Sequence, residues 1–163
     1  MPLPDIVSAL KSFQQALDKG EIELQPSVLD SKLFGYKDEP NGEHRLTYVR
    51  LERKKVAAMI QFIPCDPVDG ELCFNVGWAV PEEFREQGRA CEAFIAAIKE
   101  LRHGLVPHEI NAFWVEGIVG TDNIVSQHVA EKVISTPVSR DTDSFAGVPI
   151  VQYLRRIDSK TML

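Results

Sequence analysis

With 163 residues the chain reads as one domain, long enough to bury a full core, and its 44% hydrophobic and 26% charged residues are those of a soluble globular protein. A net charge of −6 argues against indiscriminate nucleic-acid binding, which runs on Lys and Arg against phosphate, and permits a cationic or amine partner. No apolar run approaches the ~20 residues of a membrane helix, and the opening Met-Pro-Leu-Pro-Asp lacks the basic start of a signal peptide.

The first predicted element is a helix. Ile6, Leu10, Phe13 and Leu17 share one face of a 3.6-residue period, and Gly20 ends it. A short strand is expected at residues 21–25 and a loop around residues 38–42, where Pro40-Asn41-Gly42 is a turn signal. Strands follow at residues 45–51 and, almost wholly apolar, at residues 56–63, joined by a charged turn. A loop over residues 65–70 carries Pro67 and Gly70. The strand at residues 72–80 alternates a bulky row (Leu72, Phe74, Val76, Trp78, Val80) with a small one (Cys73, Asn75, Gly77, Ala79).

A helix over residues 88–102 turns Ala90, Phe94, Ala97, Ile98 and Leu101 to one side, and Gly104 and Pro107 stop it. A strand at residues 110–119 leads to Thr121-Asp122-Asn123, which caps a second helix with Val125, Val129 and Val133 at spacings of four. The chain ends in a hairpin of residues 137–140 and 148–157. Strand, helix and strand across residues 72–119 require a parallel pair joined by a crossover. The fold class is therefore α/β shading into α+β, with a mixed, mostly antiparallel sheet covered by helices.

Cys65, Cys73 and Cys91 make no C-x-x-C pair, and an odd count fits reduced thiols in a cytoplasmic protein better than a disulfide framework. His44, His103, His108 and His128 show no metal-ligand spacing, so no metal is expected.

One stretch suggests a ligand. Arg85, Glu86, Gln87, Gly88, Arg89 and Ala90 fit the pattern Arg/Gln-x-x-Gly-x-Gly/Ala where a strand gives way to a helix. The first turn of a helix offers N–H groups that have no helical partner, and its dipole end is positive, so phosphate binds there. Gly88 lets the backbone approach, Ala90 keeps a side chain away, and Arg85 adds a planar cation. The other reading of the same turn is a surface loop entering a surface helix.

The run V-P-x-x-F-R-x-x-G-x-A after a strand, followed by a strand leading to N-x-x-S-x-x-x-x-E-K, resembles the GNAT superfamily of acetyl-CoA-dependent N-acyltransferases. The resemblance covers residues 72–132 and, loosely, the final hairpin. It implies a single domain over residues 1–163, a mixed sheet with helices on both faces, and a parallel strand pair that splays. The cofactor is expected to be acetyl-CoA (coenzyme A). The backbone of Trp78, Ala79 and Val80 would pair with its pantetheine arm, and the N–H groups of Glu86, Gln87, Gly88, Arg89 and Ala90 would hold its diphosphate. Asn123 would bond the pantetheine or acyl end, and Gly77 and Gly117 would ease the splay. The N-terminal third departs from the family, which opens with a strand and two helices.

The family's tyrosine seven residues after the Asn, which protonates the leaving thiolate, is Ala130 here. Its work falls to another group, to water, or to nothing. Ser126 and His128 lie nearby, and Ser126 is the catalytic candidate, because His128 points to another part of the helix surface than Asn123. Glu116, near the end of its strand, is the first candidate for the base that frees the amine, with Glu71 and Asp122 behind it.

The expected activity is acetyl transfer to a primary amine of a small molecule or protein, the alternative being a CoA-binding module with weak or no turnover. No nucleic-acid or membrane partner is expected. Arg53-Lys54-Lys55 reads as a solvated hairpin tip, with a contact to the cofactor's 3′-phosphate as the remoter alternative. Phe145 lines an acceptor pocket or a homodimer contact.

Overall fold

The structure, a computed structural model, describes residues 6–135, 137–142 and 149–163. Helix α1 (Ile6–Asp18) comes first, then strands β1 (Gln25–Pro26), β2 (Leu33–Asp38), β3 (Arg45–Glu52), β4 (Lys55–Val68) and β5 (Glu71–Ala79). Helix α2 (Arg89–Leu105), strand β6 (Ala112–Gly120), helix α3 (Ile124–Val133) and strands β7 (Pro137–Thr142) and β8 (Pro149–Asp158) complete it. The strands form one eight-stranded sheet in the order β1-β2-β3-β4-β5-β6-β8-β7. Neighbours pair antiparallel except β5 and β6, which are parallel and joined through α2.

Both faces of the sheet are covered. On one, α2 buries Ala93, Phe94, Ala97, Ile98 and Leu101 against Phe62, Phe74, Val115 and Tyr153, with Ala130 and Val133 of α3 in the same cluster. On the other, Leu10 of α1 meets Val49, Val56, Met59 and Ala79, flanked by Ile6, Phe13 and Leu17. The predicted apolar face of α1 is thus the buried one. Truncating Leu10 to Ala would remove about 2–5 kcal/mol of stability, the usual range for a core leucine.

The structure corrects the expected elements at five places. The strand expected at residues 21–25 shrinks to the two residues of β1, and β2 was not foreseen. In β2 only Leu33 is buried, so its residues carry little alternation to read. The loop expected over residues 65–70 is mostly strand, because β4 runs on to Val68. Its Pro64 is tolerated: β3 pairs with β4 only as far as Leu46 opposite Phe62, so on that side the missing N–H leaves no ladder bond unmade. Helix α2 passes through Gly104 and stops at a 3-10 turn around Pro107. Finally, Val125 is 75% exposed. A spacing of four residues advances about 40° per step around a helix, so the valine row starts outside the core at Val125 and enters it only at Val133, beside Gln127 and Ala130.

Candidate functional site

Strands β5 and β6 begin as neighbours and then part. Cys73 lies opposite Trp114, Phe74 opposite Val115 and Asn75 opposite Glu116, where the parallel pairing ends. Beyond that point β5 stays with β4 through Ala79 opposite Met59, and β6 stays with β8 through Gly120 opposite Ile150. The sheet therefore opens along one seam, and the β6-facing edge of β5 from Val76 onward has no strand partner among the described residues.

Glycine and tryptophan shape the opening. A Cβ at Gly117 would come within 3.2 Å of the Trp78 ring and 2.7 Å of Ile134 Cδ1, so the indole packs where a side chain would otherwise stand. A Cβ at Gly77 would meet Ile6 Cδ1 at 3.4 Å, so α1 closes down on the opposite side. Two cavities, of about 210 and about 330 Å³, occupy the parted seam and share Ile6, Trp78, Asn123 and Ser126. The smaller adds Gln61 and Asn75, and the larger runs past Val80 to Arg85 and Ala90. The indole Nε1 of Trp78 is buried without a partner among the described residues.

The larger cavity ends at the loop between β5 and α2. After a 3-10 turn at Glu82–Phe84 the backbone takes left-handed values at Glu86 (φ 62°) and at Gly88 (φ 73°), the N-cap of α2. Glycine adopts such a value freely, whereas a glutamate there is held at a cost of order 1 kcal/mol. Among the described residues none accepts a hydrogen bond from the N–H groups of residues 86–91, and the helix ladder starts only with Glu92 N–H on Gly88 C=O at 3.1 Å. The loop is exposed, and a Cβ on Gly88 would meet nothing within 4 Å. The loop expected to form the cradle thus presents a row of amides without partners among the described residues, at the mouth of the seam.

The two arginines of the loop differ. Arg89 is bound to Glu52 Oε2 at 2.6 Å and to Gln87 Oε1 at 2.9 Å, and its guanidinium lies 4.8 Å from the centre of the Phe84 ring. Arg85 donates only Nε, to the Val80 carbonyl at 3.1 Å, and its terminal nitrogens have no partner among the described residues. Arg85 therefore touches the backbone just past the end of β5.

Across the seam, Asn123 is the N-cap of α3. Its Oδ1 accepts from Ser126 N–H at 3.1 Å, and its Nδ2 donors, beside both cavities, have no partner among the described residues. Among the described residues, Ser126 carries the only side-chain hydroxyl lining the two cavities. His128 is exposed and lines neither, and Ala130 is fully buried in the core.

Glu116 lies one step behind the smaller cavity. Its Oε1 accepts from Asn75 Nδ2 at 3.2 Å and its Oε2 from Gln152 Nε2 at 2.7 Å, so two amides fix the carboxylate next to the point where pairing ends. Glu71 is at the far end of β5, bound to Arg156 at 2.7 Å and to Trp114 Nε1 at 3.1 Å, and the Arg156 guanidinium holds its carboxyl below the usual range. It is not part of the seam, and neither is Asp122. Burial pushes the Cys65 and Cys73 thiols upward, so they stay protonated. Phe145 lies outside the described residues.

Sequence reasoning missed Gln61, Asn75 and Gln152. Gln61 had a signal, being polar in an otherwise apolar run, and it is buried with a 3.3 Å bond to Thr47. Gln152 had none, because its partner Glu116 is 36 residues away in the chain.

No family model matches the sequence, and no curated protein sequence does. Solved structures do match. A ribosomal L7/L12 α-N-protein acetyltransferase, RimL, in complex with coenzyme A superposes with a TM-score of 0.57 at 18% identity, over 94% of this chain and 91% of that one. An acetyltransferase from Salmonella typhimurium that modifies the N-terminal serine of ribosomal L7/L12 superposes with a TM-score of 0.54 at 19% identity, over 93% and 91%. Against the first crystal form of apo RimL, at 0.53 and 19% identity, the match takes in 69% of this chain and 61% of that one. The chain has the GNAT fold, and the parallel splayed pair expected from the sequence is part of it.

Proposed function

We propose that this chain, built on the GNAT fold, is an N-acetyltransferase that takes the acetyl group of acetyl-CoA and passes it to a primary amine. The observation that carries the reading is the row of unpartnered amides at residues 86–91, placed at the mouth of a seam that runs between two parted strands. A diphosphate needs donors that are not already spent, and these are free, clustered and at the positive end of α2. The seam suits an extended amide-bearing arm, because the unpaired edge of β5 offers main-chain groups as an added strand would use them. The apolar side chains around the larger cavity, among them Val7 at 44% and Val125 at 75% exposure, would then be covered by ligand instead of water.

Acetyl-CoA supplies an activated thioester carbonyl when bound. The residues of this chain do the rest. Asn123 Nδ2 and the unpaired edge of β5 orient the arm. Glu116, fixed by Asn75 and Gln152, takes the proton from the incoming ammonium, directly or through water, so that a neutral amine attacks. A β5 N–H near Val80 supports the oxyanion. The Ser126 hydroxyl donates to the departing sulfur, the role that tyrosine holds in the resembling family. Several neighbours in fold act on protein α-amines, so a protein N-terminus joins small amines as a candidate acceptor.

A second reading is a CoA-binding module without turnover, favoured by one observation: among the described residues no tyrosine lines either cavity, and the position expected to carry it is buried Ala130. Two measurements decide. Coenzyme A at ~100 times its dissociation constant should stabilise the fold by roughly 2.7 kcal/mol. A shift of zero at millimolar coenzyme A rejects both readings. Release of free thiol from acetyl-CoA with a panel of small amines and peptide N-termini then separates enzyme from binder.

A further inference from the structure

A groove of about 830 Å³ lies apart from the parted seam. It lies between α1, the β3–β4 turn and the chain leaving β5. Lys11, Arg53, Lys54, Lys55 and Arg85 line it, five cations against the three carboxylates Asp18, Glu82 and Glu83, in a chain whose net charge is −6. Arg85 and Val80 belong both to this groove and to the larger cavity of the seam, so the two spaces adjoin.

The turn itself is unusual. Glu52 pairs with Lys55, which leaves a two-residue connection, and both of its residues, Arg53 (φ 52°) and Lys54 (φ 71°), are left-handed. Such turns favour Asn-Gly, because long side chains are strained in that conformation. Here two long cations hold both places. The strain is held from outside: Gln14 of α1 accepts from Val56 N–H at 2.7 Å and donates to the Lys54 carbonyl at 3.2 Å. A second tie, Glu52 to Arg89, fastens the same turn to the first residue of α2. The hairpin tip is thus clamped beside the amide row, with two exposed cations in positions that favour stability less than other residues would.

We propose that Arg53 and Lys54 form a second anion site, which takes a phosphate monoester carried by the same ligand whose diphosphate sits on residues 86–91. The inference rests on the cofactor reading above, and for coenzyme A the monoester is the 3′-phosphate of its ribose. Gln14 acts as a positioning residue, since it holds the turn without reaching the ligand.

The test replaces the turn by the sequence its backbone prefers. Arg53→Asn with Lys54→Gly removes both cations and relieves the left-handed strain, so the variant should melt higher than the unaltered protein. Calorimetry with coenzyme A and with 3′-dephospho-coenzyme A is run on both proteins, with Lys99→Ala as the charge control. The unaltered protein and the control should bind coenzyme A about tenfold more tightly than the dephosphorylated compound, the worth of a charge-assisted contact. The double variant should bind both compounds alike, by losing affinity for coenzyme A alone. Equal binding of the two compounds by the unaltered protein overturns the second site and leaves the cofactor reading in place. So does an equal loss for both compounds in the double variant. If neither compound binds the unaltered protein, the cofactor reading fails and takes this site with it.

Discussion

Arg89 and Glu52 form a 2.6 Å ion pair that joins the first residue of α2 to the tip of the β3–β4 hairpin. The pair shows that the two arginines of the Arg-x-x-Gly-x-Ala loop do different work. Arg89 is engaged by Glu52, Gln87 and Phe84, whereas Arg85 makes one bond to the Val80 carbonyl, and its terminal donors have no partner among the described residues. Arg85→Ala should therefore weaken coenzyme A binding about tenfold. Arg89→Ala should change it less than about threefold while lowering stability by about 1 kcal/mol, from a partly exposed ion pair and a ring contact. Titration calorimetry and thermal melts on the two variants check both numbers, and the reverse ranking would reassign the phosphate ligand.

Gly88 has a left-handed backbone, and a Cβ there would meet open space. Gly88→Trp should thus cost only the conformational penalty of about 1–2 kcal/mol and remain folded. It should nonetheless abolish coenzyme A binding, because the indole would stand over the amide row. Retained affinity in a variant that melts cooperatively would place the diphosphate elsewhere.

Asn123 uses its carbonyl oxygen as a helix cap and leaves its amide donors free. Two substitutions separate these jobs. Asn123→Asp keeps a good cap and loses the donor, so stability should stay within about 0.5 kcal/mol while affinity for acetyl-CoA falls. Asn123→Ala loses both and should cost about 1 kcal/mol of stability as well. If Asn123→Asp binds as tightly as the unaltered protein, the side chain is a cap and nothing more.

Glu116 is held by Asn75 and Gln152 beside the smaller cavity. Replacing it by Gln preserves size and removes the proton acceptor. In an active enzyme the rate with an amine acceptor should fall by about 10²–10⁴-fold, with the affinity for coenzyme A unchanged. A loss that shrinks as pH rises, where the amine is already neutral, would mark Glu116 as the base. A loss constant across pH would mark it as structural.

Burial raises the pKa values of Cys65, Cys73 and Tyr48 in the folded chain, in Tyr48 with help from the nearby Glu100 carboxylate. A raised value means that the unfolded chain loses its protons first. The stability these groups contribute is whole below their ordinary values of 9.0 for the thiols and 10.0 for the phenol, and it is lost as pH climbs past them. Denaturant melts from pH 8 to 11 should show a falling midpoint, and Cys73→Ala should flatten the first part of that fall. A flat profile in the unaltered protein would contradict the burial of these groups.

Much of this site could be read from the chain. The Arg85–Ala90 turn, its place after a strand, the cap at Asn123 and the parallel pair all follow from local pattern: turn chemistry, helix capping and hydrophobic period act over a few residues. Strand β2 was missed because only Leu33 in it is buried, and the end of β4 because Pro64 and Pro67 usually mark loops. The role of Val125 was misread because a row of valines four apart drifts around a helix.

What only the folded arrangement decided are relationships between distant residues. That β5 and β6 part after Asn75 and Glu116, that Gln152 braces Glu116, and that Gln14 clamps a basic turn beside the amide row each depend on segments 36 to 42 positions apart. Local propensity acts through neighbouring dihedral angles and is written in adjacent letters. Which edges meet, and where a sheet is left open, is set by the competition of whole faces for burial, and no short stretch of sequence contains that comparison.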